Sequence, residues 1–282
     1  MYQQFELAFP DGALIRPEML RGAAFGRRLY AIFVIARSGS TWLTELARNT
    51  GVLGCPQEWL NPNFCLATEQ HLGCPPPVHF GTTEINEYIL AFIHHSETAG
   101  IAGIELSWPQ IQALSTRALA GVDFSFLSTC FYLRRRDVVA QSISLYRSAA
   151  SGFFHSYQTL PDLRNQFQEV EYDANAIAGN MVHLIDCENA FEEMFLSCGL
   201  TPIRWFYEDL VAAPAKVLQQ MAAGLRTDLD SDNPGSTMKK LADVKNIEWG
   251  ARFQVDRGDF LAAQLKRRPQ MEVEQLSPVG EM

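Results

Sequence analysis

The chain lacks any long apolar run. No stretch reaches the roughly 18 apolar residues from which a membrane-crossing helix is read, so nothing in its 282 residues is expected to span a bilayer. The segment from Met1 to Arg28 mixes Pro, Gly, acids and Arg. It has no apolar core of the signal-peptide kind and is not expected to act as one. Cysteine is sparse and scattered: Cys55, Cys65, Cys74, Cys130, Cys187 and Cys198 form no C-x-x-C pair. The first three have the wrong spacing for a paired zinc knuckle, and no metal site is expected. Reduced thiols and a cytoplasmic location follow as expectations. Positive charge is also short, with 23 Lys and Arg against 32 Asp and Glu and a net charge of −9. Nucleic acid is therefore not the expected partner, because phosphate contacts need clustered Lys and Arg. A local basic pocket stays open, with Arg134, Arg135 and Arg136 as one candidate.

What is present is a chain that is 47% hydrophobic, enough for a full core. Tyr30 to Ala36 is nearly continuous apolar sequence, the pattern of a strand buried on both faces of a parallel sheet. Arg37, Ser38, Gly39, Ser40 and Thr41 follow, and then Trp42 to Thr50, whose Leu43, Leu46 and Ala47 share one helical face. Strand, small polar loop and helix is a geometry that aims backbone N–H groups at an anion. The hydroxyls and the Arg37 guanidinium add donors. A triphosphate-binding loop would read G-x-x-x-x-G-K-[ST]. Here no Lys follows Gly39, so a kinase would lack its central residue. The alternative is an ordinary strand–helix turn rich in small residues.

Further on, residues 1–29 read as an irregular lead-in and residues 52–83 as a long loop-rich wall punctuated by Gly and Pro. Glu84–Ala99, Trp108–Leu119, Asp137–Ala150, Tyr172–Ser197, Pro214–Gly224 and roughly Ile247–Leu265 read as helices. Ile101–Leu106, Phe126–Leu133 and Thr201–Tyr207 read as strands, residues 151–170 as irregular, and Arg268–Met282 as a disordered tail. Alternating strands and helices without repeat or linker predict one α/β domain over residues 1–282, a parallel sheet flanked by helices. Ligands then bind at the carboxyl ends of the strands. The strand ending at Leu133 runs into the Arg triplet, so Arg135 is expected at the same edge as Arg37. Two basic strand ends suit a ligand with two separate anionic groups, although a solvated basic strand end reads the same way.

Three motifs together resemble the bacterial trehalose 2-sulfotransferase family, whose relatives sulfate glycolipids, lipopolysaccharide or nodulation factors. They are Arg37 to Thr41, Gly54 to Trp59 with its Pro56-Gln57-Glu58 core, and Arg134 to Ser144. Tyr207 to Leu210 and Lys245 to Trp249 extend the likeness over roughly residues 30–255. The resemblance implies a P-loop-type α/β sulfotransferase fold and the donor 3′-phosphoadenosine 5′-phosphosulfate, with no metal. It assigns Arg37, Ser38, Gly39, Ser40 and Thr41 to the 5′-phosphosulfate, and Arg135 with a helix serine to the 3′-phosphate. Arg134 to Ser142 and Arg136 to Ser144 both have the spacing of eight common in sulfotransferases, whereas the trehalose enzyme favours Arg135 with Ser144. Lys245 and Arg252 align with basic residues of the family's C-terminal segment. Glu58 matches its catalytic base, and Cys55, Pro56, Gln57, Glu58 and Trp59 lie in its acceptor region. The departures are Ala36 and Cys55, where the trehalose enzyme carries Gln and Glu in its sugar pocket, and Gly103-Ile104-Glu105 in place of its Gly-Lys strand.

Sulfuryl transfer needs in-line alignment, neutralisation of charge on the leaving phosphate, and a base for the acceptor's proton. Arg37 suits the second task and Glu58 the third. The acceptor implied is a saccharide or a glycolipid, lipopolysaccharide-type or other, and not free trehalose. A homodimer is compatible with the sequence. Two other readings compete: a metal-dependent nucleotide kinase, and a non-catalytic module that keeps the nucleotide pocket.

Overall fold

The structure is a computed structural model describing residues 2–67, 72–115, 124–156, 158, 161–230, 234–238 and 241–270. Its centre is a four-stranded parallel sheet: β1 (Arg28–Val34), β2 (Ile101–Ser107), β3 (Thr129–Arg134) and β4 (Ile203–Phe206), in the order β2-β1-β3-β4. β1 lies in the interior, with Ile32 opposite Glu105 on β2 and Phe131 on β3. Alternation along β1 splits the core in two. Leu29, Ala31 and Phe33 face one layer, built by helices Ile85–Ser96 and Ala174–Ser197 among others. Tyr30, Ile32 and Val34 face the other, built by helices Ser40–Asn49 and Pro214–Gly224. A strand covered on both sides has no polar face, which is why Tyr30 to Ile35 contains no charge. Each large apolar side chain buried this way contributes about 1.5–3 kcal/mol.

The α/β parallel sheet flanked by helices is the architecture expected from sequence, but both ends of the chain differ. Residues 1–29 are not an irregular lead-in: they carry helices Tyr2–Ala8 and Pro17–Ala24. Phe5, Phe9 and Leu20 are buried in the same core as Phe33. Helices this short have little intrinsic stability, so tertiary packing and not propensity holds them. Within residues 151–170, Pro161–Glu169 is helical, and the last helical region divides into Val244–Asp256 and Gly258–Arg267. No helix among the described residues is long and apolar enough to cross a membrane.

The tail does not begin at Arg268. That guanidinium donates to both Glu188 carboxylate oxygens and to the carbonyls of Arg135 and Arg136. Arg134 Nη2 reaches the same buried Glu188 at 2.6 Å and also donates to Pro269 O at 3.0 Å. The end of β3 is thus clamped from the C-terminal side. Glu188→Ala would leave the buried Arg134 with the 4.0 Å approach of Glu192 in place of its close partner, and should cost about 3–5 kcal/mol. Urea unfolding of the two proteins measures this, and an unchanged midpoint would mean the pair adds nothing.

Candidate active site

The loop after β1 turns through two left-handed residues, Arg37 at φ 64° and Gly39 at φ 82°. At Gly39 a side chain is excluded twice: by the backbone angle, and because a Cβ would lie 2.5 Å from the Tyr207 ring. The chain then enters helix Ser40–Asn49, with Trp42 N and Leu43 N donating to Gly39 O. The first N–H groups of a helix have no partner within it, so those at the loop can accept an anion. Gln141, on helix Val138–Ser151, pins the loop by donating to Ala36 O at 2.7 Å. The Ser38 hydroxyl is buried without a hydrogen-bond partner.

Arg37 donates through Nε to Ser144 Oγ at 3.0 Å and through Nη1 to Phe154 O at 2.7 Å. Burial, and next the charge of Arg135, push its guanidinium from 12.5 down to about 10. Two cations therefore face one another beside unused N–H donors, an arrangement that an anion between them would stabilise.

The structure separates the members of the arginine triplet. Arg134 is buried against Glu188, and Arg136 makes a forked pair with Asp209 at 2.8 and 3.0 Å above the Phe206 ring. Among the described residues Arg135 has only a long approach to Glu208, 3.9 Å, as an ion pair, and its Nε has no hydrogen-bond partner there. Its guanidinium sits 5.1 Å from the centre of the Tyr207 ring. The serines divide as well. Ser142 is buried and donates to Val138 O at 2.7 Å, whereas Ser144 reaches Arg37. Of the combinations open in the sequence, Arg135 and Ser144 are the two that lie by the loop.

On the acceptor side, the segment from Cys55 to Glu58 runs beside β2. Cys55 N donates to Ser96 O at 2.8 Å, and Gln57 O accepts from Glu105 N at 2.9 Å. Glu58 Oε2 accepts from Gln110 Nε2 at 3.1 Å and from the Asn61 amide. Glu105, 2% exposed, has its carboxyl beside the Ser40 hydroxyl and the Glu58 carboxyl. Burial, and next the charge of Glu58, hold it well above the usual carboxylate range. Glu105 thus bridges the anion loop and the expected base. In the sequence it stands out only as a departure from the family pattern.

Several expected site residues lie elsewhere. Trp59 is 0% exposed, packed against Phe64, Phe80, Phe92 and His95, and supports the segment from behind instead of meeting a substrate. Cys55 is paired with Arg48, two turns along the helix from Ser40, and burial raises its thiol despite that cation. Pro56 is buried and Gln57 half-buried. Lys245 donates to Gln168 O, and Arg252, 62% exposed, pairs with Asp256 and stacks on Tyr172. No hydrogen bond or ion pair among the described residues ties either to Arg37 or Arg135. Their helix docks through the buried Arg147, which grips Asp243 and Asn246 at its start.

A histidine, His155, also stands beside the loop. Its Nδ1 lies 3.5 Å from Thr41 Oγ1. Burial, and next Arg37, push it from 6.5 down to about 4, so the folded protein holds it neutral. The unfolded chain takes up this proton near pH 6.5, and between that value and about 4 it binds more protons than the folded chain. The stability involved is present above pH 6.5 and lost as pH falls toward 4. His155→Gln should therefore flatten the decline in urea midpoint across that window. An equal decline in both proteins would assign the loss to other groups.

The chain is similar to known proteins. The trehalose 2-sulfotransferase of Mycobacterium tuberculosis (strain Erdman) is 28% identical over 264 residues, covering 81% of this chain and 95% of the relative. That of Mycolicibacterium smegmatis is 25% identical over 263 residues, covering 80% and 94%. A sulfotransferase crystal structure from Alicyclobacillus acidocaldarius aligns over 86% of this chain and 97% of its own, with 15% identity and a TM-score of 0.36. Residues 29–256 match the Stf0 sulphotransferase family model, which spans the loop, Glu58, the arginine triplet and both strand ends: the chain belongs to that family and is a sulfotransferase.

Proposed function

We propose that this sulfotransferase moves a sulfuryl group from 3′-phosphoadenosine 5′-phosphosulfate to a hydroxyl of a saccharide, or of the sugar head of a glycolipid such as a lipopolysaccharide-type glycan. The observation that carries the donor is the facing pair Arg37 and Arg135 around the Arg37–Thr41 loop, two cations with donors to spare for two phosphate-type groups. Arg37, Ser38, Ser40 and Thr41 would hold the 5′-phosphosulfate. Arg135, with Ser144 nearby, would hold the 3′-phosphate. The donor supplies an activated sulfuryl group. The loop donors stabilise charge on the departing phosphate, and Glu58 takes the acceptor's proton. Trehalose itself fits less well as acceptor. Ala36 and Cys55 offer no match for the polar side chains of the trehalose enzymes that this family resemblance implies, and a sugar site short of partners loses discrimination.

Titration calorimetry with 3′-phosphoadenosine 5′-phosphate in EDTA tests the donor assignment. Binding without metal is expected, and preference for ATP with magnesium would overturn it. Efficient sulfation of trehalose at millimolar concentration or below would overturn the acceptor reading. A cytoplasmic location and a homodimer belong to the same proposal, and fractionation and light scattering check them.

A further inference from the structure

Two carboxyls meet at the acceptor side of the site, and they are not equivalent. Glu58 is half-buried and collects N–H donors on Oε2, from Gln110 at 3.1 Å and from Asn61. Glu105 is almost wholly enclosed, and its Oε1 is buried with no hydrogen-bond partner. A charge there would be unsolvated on one oxygen and repelled by its neighbour. Two carboxylates in contact do not both ionise readily, so the pair retains one proton.

We propose that Glu105 is a positioning residue: its carboxyl keeps the proton of the pair and donates it in a hydrogen bond to the Glu58 carboxylate, so that Glu58 meets the acceptor charged and aimed. The groups facing Glu105 fit this role. Glu58 comes from the connecting segment, Ser40 from the loop helix, and apolar Ile32 stands beside it in register on β1. Gln110, at the start of helix Trp108–Ser115, acts on Glu58. Glu58 supplies the negative charge that opposes ionisation of Glu105, and burial acts in the same direction. Ser40, the first residue of the helix that follows the anion loop, stands beside the pair.

The role rests on the reading of Glu58 as base. In the step, the acceptor O–H bond breaks and its proton passes to Glu58 as the new O–S bond forms. The bond from sulfur to the phosphate oxygen breaks, and its electron pair leaves with the phosphate. The pair then carries two protons and returns one to solvent before the next turnover. Without Glu105, Glu58 would lose the bond that orients it.

Infrared difference spectroscopy at pH 7.5 reads the proton directly. The carbonyl band of a protonated carboxyl should be present in the wild type, persist in Glu58→Gln and vanish in Glu105→Gln. Kinetics read the positioning. Glu105→Gln retains an N–H donor for Glu58, so its kcat should exceed that of Glu105→Ala by about tenfold, the scale of a charge-assisted hydrogen bond. A band that survives Glu105→Gln and vanishes in Glu58→Gln would put the proton on Glu58 and overturn the proposal. So would a Glu105→Gln rate no better than that of Glu105→Ala. Full kcat in Glu58→Gln with the band intact would instead overturn the base assignment, leaving the proton on Glu105.

Discussion

Glu58→Gln is expected to lower kcat by about 10² to 10⁴, the usual worth of a positioned general base. A sugar hydroxyl is a poor nucleophile at neutral pH, so its proton must leave as the new bond forms. Gln keeps the shape of Glu58 and its approach to Gln110 and Asn61, and removes the base. Nucleotide affinity should stay nearly unchanged, because the donor is assigned to the loop and the arginines. Measuring turnover and affinity on one variant separates the two roles. Near-wild-type kcat would hand the base to another residue. Lost nucleotide binding would make Glu58 structural. His155 is next in line as base, being neutral at pH 7 and within reach of Thr41.

The second large effect is on donor binding. Arg37→Ala and Arg135→Ala should each weaken 3′-phosphoadenosine 5′-phosphate by about 1.5–3 kcal/mol, the scale for hydrogen bonds to charged groups. They should differ in their response to an analogue without the 3′-phosphate. The Arg135→Ala penalty should largely disappear, since that guanidinium has little else to hold. The Arg37→Ala penalty should persist, and part of it should reflect loop order, because Arg37 also ties the loop to Ser144 and Phe154. An unchanged Arg135→Ala penalty with the truncated nucleotide would move the 3′-phosphate site elsewhere.

The donor half of the site was legible because it is local. A strand without charge, a small polar loop and a helix all fall within Tyr30 to Thr50, and their order alone dictates where the N–H groups go. The triplet was legible as a place but not as a choice. Arg134 and Arg136 are taken by Glu188 and Asp209, which stand 54 and 73 residues away in sequence. Only the fold reveals that Arg135 is left over. Glu105 was hidden for a different reason. On a strand of otherwise apolar residues it is one acid, and its chemistry arises from burial by elements distant in the chain. Trp59 misled because it adjoins Glu58, yet neighbours in a chain can face opposite ways, and the larger apolar one went to the core. Tyr207 had no signal of its own; its role against Gly39 and Arg135 depends on close packing.

The strip that carries Glu58 is held by main-chain bonds at both ends, Cys55 N to Ser96 O at the end of helix Ile85–Ser96 and Gln57 O to Glu105 N on β2. Side chains at positions 55 and 57 therefore do not set the location of the base. This gives the enzyme a form of modularity. Under the proposed function, side chains that greet an acceptor could drift, or be redesigned, while Glu58 stays in register. On that reading, a collection of variants confined to Ala36, Cys55 and Gln57 is the economical place to search for altered sugar preference, since it leaves Glu58 and the side chains of the Arg37–Thr41 loop unchanged.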